Sequence, residues 1–119
     1  MRKTGQERGD INAKRAKIRA LNDALRKTFW GGRVMMTAGV AALENPVRNA
    51  VVEKIKAFDA FDDGNDPWGE HDFVRVEHDG QTFFAKIDYY DRKLEAHSED
   101  AADPEKTCLV MTIMLAEEH

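Results

Sequence analysis

The stretch Asp72-Phe73-Val74-Arg75-Val76-Glu77-His78-Asp79-Gly80-Gln81-Thr82-Phe83-Phe84-Ala85-Lys86-Ile87-Asp88-Tyr89-Tyr90 decides the fold. Asp79-Gly80 is the dipeptide of a two-residue type I′ turn, whose positive φ angles give the twist that suits two antiparallel strands. Such a turn leaves no freedom of register: His78 faces Gln81, Val76 faces Phe83 and Val74 faces Ala85. Side chains alternate across a strand. One face of the hairpin then carries Val74, Val76, Phe83, Ala85, Ile87 and Tyr89, which is the composition of a core face. The other carries Phe73, Arg75, Glu77, Thr82, Phe84, Lys86, Asp88 and Tyr90, a mixture of aromatics and charges that reads as a half-covered surface.

Downstream, residues 91–106 are polar and read as a long loop, and residues 107–116 read as a last strand. In it Leu109, Met111, Ile113 and Leu115 point one way and Cys108, Val110 and Met114 the other. A strand apolar on both faces belongs in the middle of a sheet. Upstream, Asn45-Pro46 marks a helix start, with Asn45 as N-cap and proline at the first helical position. Val47, Val51, Ile55 and Phe58 then recur on one face, so this helix is expected over residues 45–60. Residues 33–37 read as a short strand, and residues 37–43 carry no clear pattern. Asp10 is the expected N-cap of a first helix over residues 11–29, with Ile18, Leu21, Leu25 and Phe29 as its buried stripe and Gly31-Gly32 as its stop. Residues 1–9 read as a loose end of a single domain spanning residues 1–119.

The expected fold is therefore α+β: a mostly antiparallel sheet of about four strands with two helices, in the order α-β-α-β-β-β. The second sheet face is left to be covered by the first helix, by a loop or by another copy in a homodimer. A chain of 119 residues buries a sizeable core without staples. One cysteine, Cys108, excludes an intrachain disulfide and fits a reducing compartment. There is no apolar run after the first residues and no span of membrane length, so the cytoplasm is the expected location and no membrane partner is expected.

Charge is unevenly spread. Residues 1–33 hold ten Lys/Arg against three acids, a balance of +7, while the chain as a whole is at −4. A basic arm on an acidic body is compatible with a nucleic-acid contact through the first helix. The preferred reading is a solvated helix face answered by the acidic body of the same or another copy, and an acidic body repels phosphate over much of its surface.

The loop Phe61-Asp62-Asp63-Gly64-Asn65-Asp66-Pro67-Trp68-Gly69-Glu70-His71 is the most unusual segment. Counted as a twelve-residue calcium loop from Asp59, it places Asp63, Gly64 and Glu70 correctly, but Phe61 and Asp66 break the pattern. Asp66, Glu70, His71 and Asp72 offer ligands for a transition metal, and with them a metal-dependent hydrolase, although neighbours on an extended segment point apart. Asp and Asn side chains also brace turns, and that reading competes with both. Cys108, with His71, His78 or His97 as base, would make a nucleophile, but its place in a two-sided apolar strand argues for a packed thiol. No phosphate loop, dinucleotide glycine pattern or nucleophile elbow is present, so neither a catalytic residue nor a cofactor is expected.

Several blocks resemble a bacterial domain-of-unknown-function family of small stand-alone proteins. They are Asn22-Asp23-Ala24-Leu25-Arg26-Lys27-Thr28-Phe29, Gly32-Arg33-Val34 through Thr37-Ala38-Gly39-Val40, Asn65 through Phe73, Lys86-Ile87-Asp88-Tyr89-Tyr90-Asp91, and Leu109 through Ala116. The resemblance implies a setting on plasmids and other mobile elements of alphaproteobacteria, and no particular activity. Small acidic proteins from such settings are similar in kind to inhibitors of host defence, anti-CRISPR proteins included. The leading expectation is a non-enzymatic protein-binding factor whose partner is a subunit of a nucleic-acid-binding defence complex. Its expected contacts are Phe73, Arg75, Phe84, Lys86 and Tyr90 on the hairpin, with Asp62, Asp63, Asp66 and Trp68 on the loop.

Overall fold

The computed structural model describes residues 5–119, and side chains from residue 8 onward. In chain order the elements are α1 (Gly5–Thr28), β1 (Arg33–Met36), α2 (Ala38–Ala41), α3 (Asn45–Ala57), β2 (Phe73–His78), β3 (Gln81–Tyr90) and β4 (Cys108–Leu115), followed by a 3-10 turn over Ala116–Glu118. The four strands form one sheet in the order β1-β4-β3-β2. The β2–β3 and β3–β4 pairings are antiparallel and β1 runs parallel to β4, so the α+β sheet is mixed.

The hairpin is as the dipeptide dictates. Asp79 and Gly80 both take positive φ, at 50° and 78°, and His78, Val76 and Val74 pair with Gln81, Phe83 and Ala85. The last strand lies centrally, between β1 and β3, and buries Leu109, Met111 and Ile113 on the core side and Met114 on the other. The core joins these residues to Val74, Val76, Phe83, Ala85 and Ile87, to Leu25 of α1, to Val40 of α2 and to Val51 and Ile55 of α3. All three helices therefore pack on one face of the sheet. The first helix, one of three expected covers for the opposite face, lies instead against α3 and β4 on the core side.

Five local expectations are corrected. The first helix begins by Gly5, so Asp10 is an internal helical residue and residues 5–9 are not a loose end; residues 1–4 lie outside the described residues. Its left-handed terminal position is taken by Phe29 (φ 63°) rather than by glycine; its N–H donates to the Leu25 carbonyl at 2.7 Å and its ring packs against the core under Lys56. Gly32 matters for a different reason: a Cβ there would stand 2.6 Å from the Leu109 carbonyl oxygen. Residues 38–41 form a short helix, so there are three α-helices where two were expected. Its start is held from far along the chain: Glu118 accepts from Thr37 Oγ1 at 2.6 Å and from the Gly39 N–H at 3.1 Å. The N-cap position of α3 is Glu44, and Asn45 is already helical. That helix stops at Ala57 rather than near residue 60, because its last carbonyls are drawn to Arg26 of α1.

Candidate functional site

With the helices on one side, the other face of the sheet is open. Phe73, Arg75, Phe84, Lys86 and Tyr90 all lie on it, as the hairpin register requires. The strand pairings extend the face sideways: Lys86 pairs with Phe73 on one side and Thr112 on the other, and Thr112 pairs with Met35. Phe84 likewise sits between Arg75 and Met114. The Phe73 and Phe84 rings are 4.9 Å apart, and the His119 ring stands edge-on to both at 5.9 and 5.4 Å. His119 thereby covers part of the aromatic pair. Met35 remains 53% exposed. The charges of the face neutralise one another in place, Arg75 with Glu77 at 2.8 Å and Lys86 with Asp88 at 3.6 Å. The face thus has an apolar centre with paired charges around it.

The acidic loop is divided. Asp62 and Asp63 are exposed, and Trp68 is 63% exposed beneath the Arg15 guanidinium, 4.8 Å from its ring centroid. Asp66, expected among the presented acids, is turned inward at 9% exposure. Its carboxylate accepts from the backbone N–H of Glu70 at 3.1 Å and of His71 at 3.2 Å, which closes the loop on itself. Asp62 Oδ1 does the same for Gly64 and Asn65, both at 2.9 Å. These are side-chain-braced turns.

The four expected metal ligands do not converge on one point. Glu70 Oε1 accepts from the Tyr89 hydroxyl at 2.8 Å, and that hydroxyl accepts from Asn22 Nδ2 at 2.9 Å. His71, in the left-handed conformation at φ 56°, donates through Nδ1 to Asp23 at 2.8 Å and stacks on Phe61 at 3.7 Å. Its Nε2 lies 3.5 Å from Asp66. Among the described residues no three His, Cys, Asp or Glu side chains are grouped to hold a metal ion. Cys108 is a half-buried free thiol, 4.0 Å from the Leu109 carbonyl.

The partners of these loop residues on α1 were not legible as a site. Asn22, Asp23 and Arg26 form a polar seam beside the apolar stripe. Asn22 and Arg26 follow Ile18 at steps of four, which is the available sequence signal that they face inward. Arg26, 1% exposed, donates to the carbonyls of Ile55, Lys56 and Phe58 and to Asp23. Arg19 donates to the Gly69 carbonyl at 2.9 Å, and Lys14 lies 3.8 Å from Asp100. Much of the basic run of α1 is thus answered by the body of the same chain, while Arg8, Lys17 and Lys27 are exposed.

Electrostatics follow from this burial. Burial raises the Asp23 carboxyl, but hydrogen bonds from His71 and Arg26 outweigh it and hold the group below its usual value. Burial, then the hydrogen bond to Glu70, push the Tyr89 phenol far up. Burial, then the charges of Glu70, Asp66 and Asp88, raise Asp72. An acid whose folded pKa exceeds its unfolded value of 3.8 costs stability when ionised, and acidification through the folded value relieves that cost. Asp72→Asn is therefore expected to raise Tm at pH 7, with the gain shrinking on acidification and absent below the unfolded value. Melting curves of both proteins across pH check this, and a lower Tm for the variant at pH 7 refutes it.

No curated protein and no solved structure matches the chain. No helix among the described residues is long and apolar enough to cross a membrane. The model of the family described as protein of unknown function (DUF3768) matches residues 36–118, from the end of β1 through the three remaining strands, and the chain belongs to that family.

Proposed function

We propose that this protein is a non-enzymatic accessory factor that binds another protein through the open face of its sheet. The observation that carries the reading is that every helix packs on one side, leaving Phe73, Arg75, Phe84, Lys86 and Tyr90 together on the opposite, helix-free face, where Met35 and Tyr90 are exposed. Exposed apolar area rimmed by charge is the usual mark of an interaction surface. In its sharp form the proposal makes the protein a bacterial mobile-element inhibitor of the anti-CRISPR kind, acting in the cytoplasm on a subunit of a nucleic-acid-binding defence complex. Small size, a net charge of −4 and the exposed Asp59, Asp62 and Asp63 support that choice of partner, because nucleic-acid-binding subunits present basic surfaces.

The test is capture from nuclease-treated lysate of an alphaproteobacterium, with mass spectrometry of what is retained. The native chain is expected to retain a defence-complex subunit in stoichiometric amount. The variant Phe73→Ala/Phe84→Ala/Tyr90→Ala is expected to retain none while melting cooperatively. Equal capture by both proteins removes the face from the proposal, and no capture by the native chain removes the proposal.

A further inference from the structure

The strand β2 forms one border of the sheet, and the hairpin register settles which of its backbone groups face outward. In a two-residue hairpin the closing pair, His78 and Gln81, exchanges both hydrogen bonds, and every second pair along the ladder does the same. The Ile87 N–H donates to the Asp72 carbonyl at 2.9 Å, in phase with that alternation. The N–H and C=O groups of Phe73, Arg75 and Glu77 therefore point away from β3. Lys54 Nζ covers the Glu77 carbonyl at 2.7 Å, which blunts that end of the edge. Among the described residues no loop or side chain bonds to the outward groups of Phe73 and Arg75.

Next to this uncovered end lies a groove of about 440 Å³ lined by Phe58, Ala60, Asn65, Phe73 and Arg75. Its loop wall is stiff, because Asn65 donates to the Ala60 carbonyl at 2.9 Å and accepts from the Asp62 N–H at 2.9 Å. Phe58 and Phe73 supply apolar surface. The same loop carries the exposed Asp59, Asp62 and Asp63. Arg75, on the other wall, is already paired with Glu77 at 2.8 Å and Lys54 stands at the far end of the edge, so beside the groove the loop acids supply the unpaired charge.

Resting on the protein-binding reading above, we propose that the partner enters as an extended basic segment that adds a fifth strand along β2. Its backbone bonds to Phe73 and Arg75, an alternate apolar side chain fills the groove against Phe58, and a Lys or Arg meets Asp59, Asp62 and Asp63. Strand addition draws its affinity from main-chain hydrogen bonds and its selectivity from the side-chain positions beside the edge. Nucleic acid offers no such ladder and meets the wrong charge.

The test measures amide hydrogen exchange in the full chain with three synthetic hexapeptides: one alternating lysine and valine, one alternating glutamate and valine, and the lysine peptide with N-methylated amides. The Phe73 and Arg75 amides are expected to slow at least about tenfold with the lysine peptide alone. Arg75→Pro removes one outward N–H but no bond to β3, a substitution an edge strand tolerates. It is expected to lose the effect. Asp59→Lys/Asp63→Lys leaves the β2 backbone untouched and is expected to transfer the preference to the glutamate peptide. No slowing at these two amides with the lysine peptide overturns the proposal, as does protection that grows with protein concentration alone, which would give the edge to a second copy. If the lysate partner is still lost with Phe73, Phe84 and Tyr90 but is captured undiminished by Arg75→Pro, the edge proposal fails and the protein-binding reading stands.

Discussion

Replacing Arg26 by alanine is expected to lower the unfolding free energy by about 3–5 kcal/mol, the cost of breaking a buried charged cluster by removing one partner. The corresponding fall in Tm is roughly 10–20 °C for a domain of this size. Arg26 Nη1 serves the carbonyls of Ile55 and Lys56 at 3.1 Å and of Phe58 at 2.8 Å, while Nη2 reaches Asp23 at 2.9 Å. The carbonyls are at the end of α3, where a helix leaves its last acceptors unpaired. Alanine would strand the Lys56 and Phe58 carbonyls, leave that of Ile55 with the Phe58 N–H at 3.4 Å, and leave the half-buried Asp23 carboxylate with His71 as its remaining side-chain hydrogen-bond partner. The guanidinium also covers the Phe61 ring at 5.3 Å, so the loop that begins beyond α3 loosens together with the helix end. Lysine keeps the charge but not the planar fork, and Arg26→Lys is expected to recover less than half of the loss. Urea denaturation of the three proteins measures this. A lysine variant within about 0.5 kcal/mol of the native chain, the scatter of ordinary surface substitutions, would show that charge alone holds α3 to α1.

The second large effect separates two neighbours. Phe83 is fully buried against the helices, and Phe83→Ala is expected to cost about 3–5 kcal/mol through lost burial and the cavity left behind. Phe84, the next residue, points to the open face and keeps partial exposure beside Phe73 and His119. Phe84→Ala is expected to cost about 1 kcal/mol or less, in line with a half-covered aromatic pair, and to weaken partner capture instead. Stability and capture measured on both variants give a crossed pattern if the two faces have the roles assigned here. Comparable stability losses would mean that the outer face is structural, and the binding proposal would lose its surface.

Both effects bear on what a reader of the sequence is able to see. The opposite placement of Phe83 and Phe84 is legible, because a two-residue turn fixes the register and alternation fixes the faces. The role of Arg26 is not. The carbonyls it serves lie 29 to 32 positions away, and an arginine in a basic helix looks like part of a solvated face. Asp66 misleads in the same way: it sits in an acidic run, yet it turns inward to cap its own loop. The short α2 also escapes, since Ala38–Ala41 carries no periodicity and the carboxylate holding its start comes from Glu118.

The sequence by itself determined what neighbours along the chain enforce: the Asp79-Gly80 turn, the two faces of the hairpin, the central place of the two-sided apolar strand, and the buried stripe of α1 from Ile18 to Leu25. Only the tertiary structure decided that every helix would take the same face, that β1 would run parallel to β4, and that the loop acids would divide between a brace and an exposed wall. The reason is range. Turn angles and strand alternation act over two to four residues and leave a local pattern. The contacts of Asn22 with Tyr89 and of Asp23 with His71 span 67 and 48 positions, and they exist because packing the core brings α1 over the sheet and beside the loop.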